Sequence, residues 1–382
     1  MAQGKMLRIA FIGTGGVNFG GAEGPWDHAT RLEKLGGLTI VGLADPDIAR
    51  AEQVLAQRRS GAAGHLYAET RVFGDFHEMI RLAKPDAVFI GVPPSAHAQA
   101  KPPGDMELAC AAAGVHMFIE KPLSSAPPQE IGHIAEALVR AQGHGLIVSV
   151  GYMFRYSRAV QRMEELVEQT PGGLRAFVAR YDCAYSQIDK KAWWDIRTSG
   201  GPIVEQATHF CDLARLLGGE VDLASVRAVA IAPGSPKAAL GDMPADPSGM
   251  AARRIDEGVP FNFAVPRATA AVWRFASGAV GSLPHATLLH GKKYEAELEA
   301  WGDGLRVVLQ DPYGDCRLLV RRPHGEAVEE EGGFSGDDPY LTEDAAFLDA
   351  VRSGDGVGIR SNYADAFMTH EFAWAIRRAS QA

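Results

Sequence analysis

The sequence predicts an α/β protein in two parts. Residues 1–150 read as an N-terminal doubly wound parallel-sheet domain. Residues 151–382 read as an α+β domain on a large, mostly antiparallel open sheet. Three observations predict this. Short apolar strand signals alternate with helix signals through the first part, as strand–helix–strand units require. A glycine-rich loop, Gly13-Thr14-Gly15-Gly16, follows the first of those strands directly. From Leu174 onward the pattern changes to long alternating segments joined by short turns, which suits antiparallel strands with one buried face.

Leu7–Ile12 is the first strand. Trp26–Leu35 reads as a helix stopped by Gly36-Gly37. Leu38–Ala44 is the second strand, ending at Asp45, and Pro46–Arg59 is helical with Ala, Ile, Val and Leu on one face. Ala87–Val92 is a buried strand that ends in Pro93-Pro94. Met106–Ala113 is a helix stopped by Gly114. Val115–Ile119 is the next strand, Pro128–Ala141 a helix, and Leu146–Val150 a last buried strand. In the second part the strands are Arg175–Tyr181, Ser225–Ala230, Thr269–Phe275, Gly278–Leu283, Tyr294–Ala300 and Leu305–Leu309. Helices interrupt them at Pro202–Leu217, at Thr342–Val351 and near Ala364–Arg378. Ala232–Pro260, rich in Gly, Pro, Ala and charge, reads as a surface insertion.

At 382 residues, 46% hydrophobic and 22% charged, the chain is long enough for two cores. Its net charge is −9 with both signs mixed, so no basic surface for nucleic acid or membrane is expected. Cys110, Cys183, Cys211 and Cys316 are far apart and form no C-x-x-C pair. That argues against a disulfide framework or a zinc knuckle and suits a reducing cytoplasm. The apolar run from Leu146 to Phe154 is too short to span a membrane, and the N-terminal strand is too short for a signal peptide.

Gly13, Gly15, Gly16, Val17 and Asn18 form a loop whose backbone N–H groups can approach a pyrophosphate at a helix N-terminus. Asn18 stands where such loops carry a third glycine, and Phe19–Pro25 lengthens the path to the helix. A glycine turn without a ligand is the alternative. Asp45 argues against it, because a carboxylate at the end of the second strand accepts bonds from the ribose 2′- and 3′-hydroxyls. Pro46 and Asp47 follow it, and no arginine comes immediately after. A 2′-phosphate would meet two negative charges, so NAD is expected over NADP. Pro93 and Pro94 cannot donate to the sheet and are expected to wall the cofactor cleft. His97 beside them reads as a loop anchor more than as a catalyst.

Glu120-Lys121-Pro122 places an ammonium at the carboxyl end of a parallel strand, where open α/β sheets bind ligands. Gly201-Pro202 is a helix start, and Glu205, His209 and Asp212 follow at spacings that put all three on one stripe. A solvated polar face is the alternative reading of that stripe. A metal would need a third ligand that no nearby His or Cys supplies, so none is expected. A lysine beside a cofactor cleft and a histidine on a second element suffice to move a proton off an alcohol. Tyr152, Arg155, Tyr185, Trp193 and Trp194 are candidate substrate-binding residues. The two tryptophans are either core or a stacking surface for a sugar. His285 is a further pocket-lining candidate.

Together these residues resemble the Gfo/Idh/MocA oxidoreductases, the glucose–fructose oxidoreductase and inositol dehydrogenase group. The likeness is carried by Gly13-Thr14-Gly15-Gly16, Pro93-Pro94-Ser95-Ala96-His97, Glu120-Lys121-Pro122-Leu123, Tyr152-Met153-Phe154-Arg155-Tyr156 and the segment from Gly200 to Asp212. It implies a Rossmann domain, a second domain whose open sheet makes oligomer contacts (a homodimer or homotetramer), and a bound nicotinamide. It places the family's motif lysine on Lys121 and its helix histidine on His209. Glu205 stands where the family usually has aspartate. The implied activity is NAD-dependent hydride transfer to or from a secondary alcohol or ketone of a sugar, cyclitol or related polyol. Two alternatives share the pattern. One is an NAD-dependent glycoside-cleaving or epimerising enzyme with transient oxidation. The other is a nucleotide-sensing regulator without catalysis, which would need neither Lys121 nor His209.

Overall fold

The computed structural model describes residues 6–21, 27–185, 188, 191–240, 259–290 and 294–381. Residues 241–258 of the expected insertion, Trp26 and residues 22–25 of the expected lengthened loop lie outside the described residues. The chain divides into two units. The first takes the residues up to Tyr156 and returns for Asp338–Phe367; the second takes Ser157–Asp337 and the chain from Met368. The first unit therefore ends at Tyr156 rather than at residue 150, and it recruits a segment from near the C-terminus.

In the first unit the elements run β1 (Leu7–Ile12), α1 (Gly16–Phe19), α2 (His28–Leu35), β2 (Leu38–Ala44), α3 (Ile48–Ser60), β3 (Arg71–Phe73), α4 (Phe76–Ala83), β4 (Ala87–Ile90), α5 (Met106–Ala112), β5 (His116–Ile119), α6 (Pro128–Gly143) and β6 (Val148–Val150). The six strands are parallel in the order β3-β2-β1-β4-β5-β6. The order reverses between β1 and β4, which opens a crevice at their carboxyl ends. Both faces are covered, so the strands are apolar on both sides. Ile9, Phe11, Phe89 and Phe118 pack on one side with Leu32 and Leu55. Ile12, Val88, Ile90, Met117 and Ile119 pack on the other with Met79, Ile131, Ile134 and Leu138. Aspartates at Asp27, Asp47 and Asp75 cap α2, α3 and α4 by accepting from backbone N–H groups.

The second unit adds α7 (Arg158–Glu168), β7 (Ala176–Ala184), α8 (Ile196–Ser199), α9 (Pro202–Glu205), α10 (Thr208–Gly218), β8 (Val221–Ala230), β9 (Ala268–Phe275), β10 (Val280–Leu289), β11 (Tyr294–Trp301), β12 (Arg306–Gln310), β13 (Arg317–Arg321) and β14 (Glu329–Glu331). Its sheet runs β14-β13-β12-β11-β7-β10-β9-β8, with β7 and β10 parallel and every other pairing antiparallel. Helices α7 and α10 pack on it. The register of β8 to β11 puts Val229, Val272, Val280 and Trp301 on one face, where all four are exposed.

Two helices complete the chain: α11 (Pro339–Ser353), capped by Asp338, and α12 (Tyr363–Ala379). Phe347 of α11 explains its place in the first unit. It is fully buried, edge-on to Phe89 at 5.4 Å and to Phe118 at 5.7 Å. Among the described residues no helix is long and apolar enough to cross a membrane.

Candidate active site

The glycine loop is built as a tight turn over the end of β4. Gly13 has φ +92°, and a Cβ there would lie 2.6 Å from the Gly91 carbonyl oxygen. Asn18 is fully buried. Its Nδ2 donates to the carbonyls of Gly13 at 2.8 Å and Ile12 at 3.3 Å, so it ties the loop to the strand it leaves. The residue at the third glycine position is thus a loop staple. Gly91 makes room for it, since a Cβ there would meet the Asn18 amide at 2.6 Å. At Gly15 and Gly16 a Cβ would meet nothing within 4 Å, so these amides border open space. The helix after the loop is one turn only; α2 starts afresh at His28.

Asp45 lies at the carboxyl end of β2 as expected, but it is not a bare carboxylate. It is 2% exposed. Thr14 donates its backbone N–H at 2.8 Å and its hydroxyl at 2.7 Å to Oδ2, and the Asp47 N–H donates to Oδ1 at 2.9 Å. Arg50 Nη2 reaches both oxygens, at 2.7 and 2.6 Å. Burial would raise the Asp45 pKa; Arg50, Thr14 and the two backbone donors outweigh it and hold the carboxyl below its ordinary value. Arg50 stands five residues after Asp45, beyond the Pro46-Asp47 pair that marks the strand end in the sequence. It lies in the first turn of α3 and reaches back.

Pro93 is exposed and Pro94 half-buried; the Pro94 carbonyl accepts from the Ser125 N–H at 3.0 Å, joining the loops after β4 and β5. His97 is buried, with Nδ1 2.5 Å from the Glu107 carboxylate, which also accepts the Ala98 N–H. Its contacts are those of a loop anchor. Glu120 follows β5, and its Oε1 is 2.9 Å from His28 Nε2. His28 Nδ1 is 2.8 Å from Asp344 of α11. Burial would lower the His28 pKa, but Asp344 and Glu120 overcome it and raise it from 6.5 to about 10. Lys121 comes next, half-buried, its N–H donating to the Glu120 carboxylate at 3.2 Å. Neither His28 nor Asp344 could be found by spacing, being 92 and 316 residues from their partners.

Tyr152 is buried after β6. Arg155 is buried too, but its guanidinium donates to the Arg360 carbonyl at 2.7 Å and pairs with Asp365 at 2.6 Å. Its charge serves to anchor the C-terminal segment rather than to meet a substrate.

In the second unit the helix expected over Pro202–Leu217 is broken in two. The N–H of Ala207 bonds back to the Pro202 carbonyl at 3.0 Å, a wide closing turn, and α10 begins at Thr208. Gln206 sits at the break. Its Oε1 accepts from Cys183 Sγ at 3.3 Å and from His285 Nε2 at 3.1 Å. Burial pushes the His285 pKa down to about 3, so the ring is neutral and part of this anchor. Glu205 and His209 therefore lie on different helices, Glu205 at the end of α9 and His209 in the first turn of α10. Glu205 accepts the Trp193 indole N–H at 2.6 Å. His209 is buried and edge-on to Tyr313, with ring centres 6.4 Å apart. Asp212 is buried and accepts from the Thr369 hydroxyl at 3.1 Å, so it faces α12 rather than solvent.

Trp194 is fully buried, in a cluster with Trp193, Tyr185 and Val265, and its N–H donates to the Ile188 carbonyl. Of the two tryptophans it is core, and no sugar face can stack on it. The Tyr185 hydroxyl lies 3.0 Å from His290 Nε2. Tyr181, Tyr294 and Tyr313 form an aromatic group beside His209 that alternating strand signals alone did not single out. Among the described residues no His, Cys, Asp and Glu group is arranged to hold a metal ion.

The first unit fits a dinucleotide. Open backbone at Gly15 and Gly16 suits a pyrophosphate, and Asp45 stands where a ribose falls when that pyrophosphate lies at the β1/β4 crevice. Residues 7–152 match the family model described as the oxidoreductase family, NAD-binding Rossmann fold, and residues 155–305 match an oxidoreductase C-terminal domain. An uncharacterized protein of Schizosaccharomyces pombe is 36% identical over 387 residues, covering 98% of this chain and 92% of that one. The myo-inositol 2-dehydrogenase of Thermotoga maritima is 25% identical over 357 residues, covering 91% and 89%. Among solved structures, scyllo-inositol dehydrogenase of Lactobacillus casei, with bound NAD(H) and scyllo-inositol, has a TM-score of 0.71 at 21% identity, covering 99% and 97%. With both models matched in order and a full-length relative above 30% identity, this chain belongs to the Gfo/Idh/MocA family of NAD-binding oxidoreductases.

Proposed function

We propose that this protein is an NAD-dependent dehydrogenase that moves hydride between nicotinamide and a secondary alcohol or ketone of a sugar, cyclitol or related polyol. The observation that carries the reading is Lys121. It is an ammonium at the carboxyl end of β5, in a parallel sheet whose glycine loop and β2 carboxylate suit NAD. The inositol dehydrogenases among its relatives support the substrate class.

When bound, NAD supplies the hydride acceptor. The chain does the rest. The amides of Gly15, Gly16 and Val17 take the pyrophosphate, Asp45 the ribose, and Pro93 and Pro94 wall the cleft. His209 takes the hydroxyl proton as general base. Lys121 holds the same hydroxyl and stabilises the negative charge that grows on its oxygen. Glu205, aimed by Trp193, accepts a neighbouring substrate hydroxyl, with Tyr152 and Tyr185 as further substrate contacts. Reduction runs the same path backwards. The setting is a cytoplasmic homodimer or homotetramer, supported by the exposed apolar face at Val229, Val272, Val280 and Trp301.

The test is a polyol panel with NAD, followed by the absorbance of reduced nicotinamide. Reduction with an inositol or a sugar, lost in Lys121→Ala, is the expected result. Tight NAD binding with no turnover on any inositol, hexose or anhydrosugar would leave a sensor in place of an enzyme.

A further inference from the structure

The Asp45 carboxylate carries as many donors as it has acceptor positions to give. Two oxygens offer about four acceptor positions. Four donor groups fill them: the Thr14 N–H and hydroxyl, the Asp47 N–H, and Arg50 Nη2, which reaches both oxygens. A ribose diol can bond there only if a donor leaves. Thr14 and Asp47 give backbone donors fixed by the loop and by the start of α3, and the Thr14 hydroxyl is buried with them. Arg50 is different. Its side chain is 50% exposed and holds Asp45 by a flexible arm. Its Nε also lies 3.3 Å from the Thr14 hydroxyl, so the guanidinium lies across the mouth of this subsite.

We propose that Arg50 decides which dinucleotide this protein accepts: it competes with the diol of NAD for Asp45 and serves as the anion partner of a 2′-phosphate, so that NADP binds as well. A 2′-phosphate presents three acceptor oxygens to a planar guanidinium, the pairing in which arginine makes its strongest two-pronged bonds. Asp45 then keeps its Thr14 and Asp47 donors. With NAD the guanidinium swings to solvent and the hydroxyls take its place. The inference rests on the dinucleotide reading of the first unit and goes beyond it, since Asp45 alone would admit NAD and repel NADP.

The experiment is calorimetric titration of the full chain with ADP-ribose and with 2′-phospho-ADP-ribose, so that no turnover is needed. Wild type is expected to bind both. Arg50→Ala should weaken the phosphorylated ligand by about ten- to a hundredfold, the scale of a charge-assisted pair, while ADP-ribose binding holds or tightens. Arg50→Lys keeps the charge without the planar fork and should fall between. Equal losses for both ligands in Arg50→Ala, or wild-type protein that takes ADP-ribose but no 2′-phospho-ADP-ribose, overturns the assignment. Failure of both ligands to bind wild type would overturn the dinucleotide reading with it.

Discussion

His28 and Glu120 are joined by a 2.9 Å contact inside the first unit, and the imidazole is held charged by the second carboxylate it touches, Asp344. With its pKa raised to about 10, His28 is an imidazolium between two carboxylates, and the residue before Lys121 is thereby fixed. Because the folded value exceeds the unfolded one, the stability it contributes is complete below about pH 6.5 and is lost as pH rises through about 10. His28→Ala leaves buried carboxylates without their cation and should cost about 3–5 kcal/mol. Thermal unfolding followed between pH 6 and pH 10 checks both points: wild type should lose more of its melting temperature across that window than the variant does. Parallel curves for the two would show that His28 is neutral in the folded chain.

Lys121 and His209 are assigned to one proton-transfer event, so their losses should not multiply. Lys121→Ala and His209→Ala should each lower kcat by roughly two to four orders of magnitude with the fold kept. The double variant should be little worse than the weaker single. Full multiplication of the two effects would mean that they act in separate steps, and near-normal turnover in either single variant would remove that residue from the mechanism.

Much of the first unit could be read because its strands are continuous apolar runs bounded by Gly, Pro or Asp. β3 escaped because Arg71–Phe73 is only three residues long. β13 and β14 escaped for another reason. β13 has only Leu318 and Val320 buried over five residues, and β14 is a run of three glutamates held by Arg317 at Glu330 and Arg322 at Glu331. The break between α9 and α10 has no Pro or Gly inside it. At it Gln206 bonds Cys183 and His285, partners that lie 23 and 79 residues away. Lys121, Asp45 and the glycine loop were legible because strand ends mark them locally. Arg50, His28 and Asp344 were not, because each gains its meaning from a partner across the fold.

The two ends of the glycine loop should respond differently to a methyl group. At Gly13 alanine must adopt φ +92° with its Cβ 2.6 Å from the Gly91 carbonyl, so Gly13→Ala should destabilise the unit by at least about 1–3 kcal/mol. At Gly16 the methyl meets nothing within 4 Å among the described residues beyond its own helix and chain neighbours. Gly16→Ala should therefore unfold within about 0.5 kcal/mol of wild type yet bind NAD at least about tenfold more weakly, because the space it fills is the pyrophosphate's. Melting curves without ligand and NAD titrations separate the cases. Unchanged NAD affinity in Gly16→Ala would move the pyrophosphate away from this loop.

Glu205 stands where the family resemblance implies an aspartate, and the structure gives the longer side chain a partner. Its carboxylate reaches the Trp193 indole N–H at 2.6 Å, and it ends α9 while His209 belongs to the next helix. An acid that is aimed by a tryptophan and placed on its own short helix suits a substrate-hydroxyl acceptor better than a support for the base. Glu205→Asp withdraws the carboxylate by about one bond length and should lose roughly ten- to a hundredfold in kcat/KM, the scale of a misplacement of about 1 Å. Trp193→Phe keeps the aromatic bulk, removes the donor, and should cost about tenfold, mostly in KM. Glu205→Gln should likewise raise KM and leave the pH dependence of kcat where it was, since the base itself is intact. A kcat profile displaced in Glu205→Gln, with KM unchanged, would return Glu205 to the role of tuning His209.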